Sequence, residues 1–501
     1  MFRIESFSLS DARVRLDGQL PQHAMPAPFL TAILSLALAV IVPLIIQSAT
    51  PVDGTSFVLV GPEFIAILSG LRFAVLVGSR IRRVYEMVFW LFVYVFLGIA
   101  PVIQMRLGQD TDTTPLIDHS LDRTTVLLVL VGCWAFLIGS LSVHNRQRQD
   151  LLPAIGEPAR GVHIGRANLL TIACLGLFAY YATKLGVASM FTSRLQLDAL
   201  RQVVWPDRTI NTIIVGATSM GLLVSTIAQI YVRRQRAAAG LSTPTLLPAL
   251  SFVALFVCVN PVNSARYIFG TVLLALLGAF GAYSTVKRFR AVALSSVMGL
   301  VYLFPAADMF RRSLDPAAQS QNPLESMLSG DFDSFSQISN TIGYVNESGI
   351  TWGKQLLGVL FFWVPRSIWP DKAMDTGAVL AEWKGYLFKN LSAPLWSELY
   401  INGGWVLLIL GMLAFGVAVG HLDKRSEAIL ARTRYPSVLA CIVPFYLLIV
   451  LRGSLLQSVA FVSVVLIACA FVAEGKPKTK QEQPHRLNLS PAYDNLRRRF
   501  E

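Results

Sequence analysis

The sequence predicts an all-α polytopic membrane protein of about 12 transmembrane helices, with one large outward loop between spans 9 and 10. Three observations predict it. Hydrophobic residues fill 54% of 501 positions and charged residues only 15%, too few to cover a soluble core of this size. The apolar residues come in blocks of roughly 17 to 23, long enough to cross a hydrocarbon layer of ~30 Å. Those blocks are rich in Leu, Val and Ala without period-two alternation, which selects helices over barrel strands.

The elements follow in order. Residues 1–27 are polar with mixed charge and lack an apolar core with a cleavage site, so they read as a cytoplasmic tail before a retained first span. Spans 1–9 occupy 28–307, near 28–48, 56–78, 84–105, 123–143, 168–185, 209–232, 245–260, 267–286 and 291–307. Residues 308–403 form the large periplasmic loop, and spans 10–12 occupy 404–473, near 404–420, 437–451 and 454–473. Residues 474–501 are a basic cytoplasmic tail whose Lys476, Lys478, Lys480 and Arg497–Arg499 suit anionic headgroups.

Charge sets the orientation. One set of gaps holds Arg80/Arg82/Arg83, Arg146/Arg148/Arg160/Arg166, Arg233/Arg234/Arg236, Lys287/Arg288/Arg290 and Lys424/Arg425/Arg432/Arg434. With the tails, that set carries 27 of the 43 Lys and Arg, against 15 opposite, so both termini are expected in the cytoplasm. The net charge of +13 is spread over these short clusters, not gathered on a nucleic-acid-binding face. The five cysteines all fall inside spans without a CxxC partner, so neither a disulfide framework nor a zinc site is expected. No inverted pair of broken spans marks a transporter, and Gly416 and Gly420 read as a helix-packing pair.

The outward segments carry the chemistry. Asp110, Asp112, Asp118, His119 and Asp122 share one loop without recurring ligand spacing, and read as solvated. Arg194 and Arg201 are seven apart, two helical turns, which puts both on one face. Guanidinium pairs suit a phosphate or pyrophosphate, and equally well snorkel to headgroups. Arg266 (in NSARY) and Arg452 (in LRGS) sit on turns too tight to leave the membrane surface. Arg72, nine residues after Glu63 in span 2, has an internal pairing with Glu63 as its plain reading, at poor spacing.

In the long loop, Leu356 to Pro365 is too short to span and too apolar for open water, which predicts short interfacial or re-entrant helices with Trp363 and Trp369 at the boundary. Pro365 and Pro370 bracket Arg366 and fix its backbone. Glu398 lies beside Trp396 and two residues before Tyr400. A shielded carboxylate there acts as a general base or pairs with Arg366 or another arginine; both readings stand.

On these residues the chain resembles the Wzy-type O-antigen and oligosaccharide repeat-unit polymerases of bacterial inner membranes. NSARY, PRSIWPDK, SELYINGGW and LRGS carry the resemblance in that order, and span count and loop position agree over most of the chain. Lys372 is followed by Ala where the pattern often has Pro. The resemblance implies a metal-independent glycosyltransferase without cofactor, working on the periplasmic face of the inner membrane on undecaprenyl-diphosphate-linked oligosaccharide. Membrane lipids, a chain-length regulator and a flippase of the pathway are the implied partners, with no nucleic acid. Glu398 and Arg366 are then the catalytic candidates, with Asp308 or His119 as reserve bases. Arg194, Arg201, Arg266, Arg311, Arg452, Trp369, Lys372 and Tyr400 are the substrate-binding candidates. The competing readings are an O-antigen ligase, a flippase for the same lipid-linked sugar, and a non-catalytic membrane scaffold.

Overall fold

The computed structural model describes residues 28–50, 57–145, 161–303, 324–433 and 435–474, and the only β pairing among them is an isolated bridge between Val162 and Ala473. Both tails, Arg146, Arg148, Arg160, Asp308, Arg311 and Arg434 lie outside the described residues.

In chain order the helices are α1 (Pro28–Ala49), α2 (Phe57–Gly78), α3 (Val84–Leu107), α4 (Asp122–Asn145) and α5 (Ile164–Leu185). Then come α6 (Arg194–Val204), α7 (Arg208–Ala238), α8 (Leu246–Cys258), α9 (Arg266–Ala279) and α10 (Val286–Met298). The long-loop region contributes α11 (Ser334–Ser348), α12 (Lys354–Leu360) and α13 (Thr376–Lys384), and α14 (Leu395–Thr433), α15 (Val438–Arg452) and α16 (Leu455–Val472) close the fold. Eight of these, α1 to α5, α7, α14 and α16, are long and apolar enough to cross a membrane. The apolar helices α8, α9 and α15 are shorter, at 13, 14 and 15 residues. The chain is a multi-pass membrane protein by that measure.

α3 is buried from Val84 to Gln104. Its aromatic side chains explain the position: Phe89 stacks on Phe136 of α4, and Phe92 stacks on Trp396 of α14. The α4–α14 pair beside it packs backbone against backbone. A Cβ at Gly416 would collide with the Phe136 carbonyl, and one at Gly420 would stand 3.2 Å from the Ser140 carbonyl, so the two glycines do serve helix packing. A second core joins α5, α7, α8, α9, α15 and α16 through residues such as Leu223, Leu255, Leu276 and Ile442.

α14 is two helices joined by a kink. Gly404 has φ +60° and ψ −151°, a conformation open essentially to glycine alone, and Gly403 is extended. The kink falls where span 10 is expected to begin, and it separates the buried turn carrying Glu398 from the long apolar stretch that follows.

Far from the long loop, charges close the bundle. Glu86, fully buried on α3, accepts from Arg72 of α2 at 3.0 Å and from Arg83 at 3.4 Å. Asp423 of α14 accepts from the backbone N–H groups of Tyr85 and Glu86, both at 3.0 Å, capping α3 from another helix. Arg82 grips Glu427 with two hydrogen bonds of 2.8 and 2.9 Å. Arg72 therefore pairs with Glu86 and not with Glu63, which accepts from Gln47 at 3.2 Å. A spacing of nine on one helix cannot close such a pair, and a neighbouring helix can.

Candidate functional site

The site grows from two turns. The first precedes α7, where Asp207 accepts from Thr209 N–H and Ile210 N–H, caps the helix and leaves Arg208 at its first position. Just upstream, α6 starts with a capping box between Ser193 and Gln196. One turn of α6 places Asp198 between Arg194 (3.5 Å) and Arg201 (2.7 Å). Arg201 also donates to the Tyr181 hydroxyl at 2.6 Å, and Tyr181 stacks on Trp205.

The second turn lies in the long loop. Arg366 donates to the carbonyls of Lys372 (2.7 Å) and Ala373 (3.0 Å), and the Lys372 ammonium donates to those of Phe362 (2.6 Å) and Val364 (2.9 Å). Two cations thus hold the loop closed on itself. Burial, with the charge of Arg366 added, lowers the Lys372 amine from its ordinary range. Trp369 completes the turn, edge-on to Phe361. Pro365 and Pro370 do bracket a constrained backbone, and its product is this carbonyl cage.

Between the two turns is a polar cavity of about 850 Å³. Arg194, Arg201, Arg208, Arg366 and Lys372 line it, with Asp198 and Asp375 as the carboxylates on its wall among the described residues. Five cations against two anions leave it positive. Asn211, Asn263, Asn390 and Gln457 add neutral amides suited to sugar hydroxyls. Four of the sequence candidates (Arg194, Arg201, Arg366, Lys372) are therefore brought together.

Beside it runs an apolar groove of about 1160 Å³ between α3, α9, α10 and α15. Phe269, Leu273, Leu277, Leu300 and Leu448 form its walls, with Arg266 and Arg288 among the lining. Ser264, on the turn before α9, lines both the groove and the cavity, so the two volumes flank that residue.

Arg266 and Arg452 take another place. Arg266 pairs with Asp331 at 3.3 Å. Arg452 donates to the carbonyls of Asp331 and Gly330, both at 2.8 Å, and reaches Asp333 at 3.5 Å. Burial raises the Asp333 carboxyl above its ordinary range against the opposing pull of Arg452. These arginines fasten the loop to the start of α9 and the end of α15.

Glu398 is 1% exposed and does not line the described cavity wall. Oε1 accepts from Ser454 Oγ and Leu455 N–H, and Oε2 from Thr376 Oγ1, all at 2.9 Å. The carboxylate caps α16 and ties it to α13, and its partners among the described residues are these neutral donors, not Arg366. Tyr400 is buried edge-on to Trp405. His119 sits between Asp110 and Asp122, at 3.4 and 3.0 Å, in its own loop.

The sequence reading missed Arg208 and Asp375, which face each other across 3.4 Å on the cavity wall. A signal existed: Trp-Pro-Asp followed by a basic residue occurs twice, at 205–208 and 369–372, and both basic residues line the cavity. No family model, curated protein or solved structure matches the chain.

Proposed function

We propose that this chain is a polysaccharide polymerase that joins undecaprenyl-diphosphate-linked oligosaccharide repeat units on the periplasmic face of the bacterial inner membrane. The observation that carries the reading is that a cationic, amide-lined cavity and an apolar groove lie on either side of one residue, Ser264. A lipid-linked diphosphate sugar needs both: fixed positive charge for the leaving group, and a dry wall for the isoprenoid chain. In this reading α8, α9, α15 and the α10 region also cross the bilayer, giving twelve spans with both termini cytoplasmic. α12 and the turn after it then rest in the outer interface through the exposed Leu357, Leu360, Trp363 and Ile368.

The reaction balances without a further reactant. A hydroxyl of the incoming unit attacks the anomeric carbon of the growing chain. The carbon–oxygen bond to the diphosphate breaks, and the electron pair leaves with the lipid diphosphate. The hydroxyl proton passes to a carboxylate. Arg194, Arg201 and Arg208 offer donors to the departing charge, while Arg366 and Lys372 shape the loop and add to the field.

The test is elongation. Purified protein given lipid-linked repeat units should make longer chains, in EDTA as well as without it, and a product never longer than one unit would end the proposal. In cells, deletion of the gene should leave single units on the surface lipid. Loss of every attached unit would instead indicate a ligase, and cytoplasmic-side accumulation of lipid-linked units a flippase.

A further inference from the structure

Glu398 is held by Thr376, Ser454 and Leu455 away from the cavity, and the described part of the cavity wall offers two carboxylates as proton acceptors, Asp198 and Asp375. Asp198 is bound from both sides by Arg194 and Arg201 on its own helix turn, where it fixes the two guanidinium groups. Asp375 stands differently. Its Oδ1 accepts from Ala378 N–H at 3.0 Å, which caps α13 and freezes the side chain. Among the described residues the hydrogen bond to its Oδ2 is from Arg208, at 3.4 Å, a long and weak contact. Arg208 is 74% exposed while Asp375 is 4% exposed, so the mobile partner is the arginine. Among the described residues, Arg208 and Arg194 are the cavity cations with only long ties, 3.4 and 3.5 Å, whereas Arg201, Arg366 and Lys372 are committed at 2.6 to 3.0 Å.

We propose that Asp375 is the catalytic base of the transfer and that Arg208 shields it until an anion enters the cavity. A diphosphate offers a guanidinium two parallel acceptors and outcompetes one weakly placed carboxylate oxygen. Binding of the donor therefore draws Arg208 away and frees Oδ2 for the acceptor hydroxyl. The base becomes available only when the leaving group is in place, which suppresses idle hydrolysis. Glu398 is then a positioning residue: through Thr376 Oγ1 it fixes the residue next to Asp375. This assignment rests on the polymerase reading.

The closing experiment compares Asp375→Asn and Arg208→Gln in the full-length protein with lipid-linked repeat units. The Asn variant keeps the cap on α13; should it not accumulate, Asp375→Ser, another good cap, replaces it. Asp375→Asn should lower kcat about 100-fold or more with donor KM nearly unchanged, the range of a lost general base. Arg208→Gln should raise donor KM about tenfold and lower kcat as well, since it also removes a donor to the departing diphosphate. Were Asp375 there only to hold Arg208, the two variants would share one phenotype, a raised donor KM, and that result overturns the assignment. So does near-normal kcat in Asp375→Asn. A silent wild-type protein overturns the polymerase reading and this assignment with it, whereas turnover by both wild type and Asp375→Asn overturns the assignment alone.

Discussion

Two arginine-rich regions of this protein stand at opposite fates. Around Glu86, Asp423 and Glu427, the guanidinium groups of Arg72, Arg82 and Arg83 are matched by carboxylates from other turns or helices and closed from water. In the cavity, five basic side chains meet two carboxylates, and several keep an open side. The same residue type therefore does two jobs. Balanced and buried, it locks helices in register; in excess and half-open, it holds a field ready for an anion. Counting arginines along the chain cannot separate the two, but counting the carboxylates around each one can.

Substitutions should split along that line. The largest effect is expected in the cavity, where Arg201→Ala should reduce elongation by two or more orders of magnitude while the protein still accumulates in the membrane, the scale of one lost transition-state donor. Normal elongation would place the anion elsewhere. Arg366→Ala should fail similarly, with Lys a poor rescue, because a shorter-reaching ammonium does not reproduce the planar pair of guanidinium donors that meets the carbonyls of Lys372 and Ala373.

In the balanced region the loss should be of the fold. Glu86→Ala strands Arg72 and Arg83 and should cost about 3–5 kcal/mol, read as a lowered unfolding midpoint in detergent. A variant that keeps its midpoint but loses elongation would erase the contrast between the regions. A smaller cost, about 1 kcal/mol, is expected for Ser454→Ala, which removes one of three donors to Glu398.

The smallest effect tests the loop fastener by pH. Burial holds the Asp333 carboxyl above its ordinary range, so the folded chain keeps that proton to a higher pH than the unfolded chain does. Its contribution is fully present below the ordinary carboxylate range and is lost as pH rises through the folded value. Asp333→Asn should therefore flatten the fall in unfolding midpoint across that window, and an unchanged slope would show that the group does not titrate there.

Much of the helical plan was legible, and the reason is plain. Length and apolarity are local properties, so the helices at 28–49, 84–107 and 455–472 stand where the blocks of Leu, Val and Ala put them, and the INGGW glycines kink where a span was expected to start. Burial of α3 was not legible, because a helix wrapped in protein and a helix wrapped in lipid are equally apolar in sequence. The site was legible in part. Arg194 and Arg201 do share a cavity, yet the partners of Glu398 could not be read from the chain, because they come from Thr376 and from the Ser454 turn, 22 and 56 residues away. The partners of Arg266 and Arg452 were hidden for the same reason, since residues 330–333 reach them by tertiary folding.

The burial of α3 also imposes an order on assembly. Its neighbour α2 emerges just before it, so Arg72 and Arg83 can neutralise Glu86 within one helical hairpin as the chain enters the bilayer. Asp423, which caps that helix, and Trp396, which stacks on its Phe92, are synthesised more than 300 residues after their partners. Until then α3 must lodge against lipid on sides that the finished protein covers from Val84 to Gln104. The early charge pair is its passport through that interval, and a chain made without Glu86 should falter during insertion, before any cavity exists to be tested.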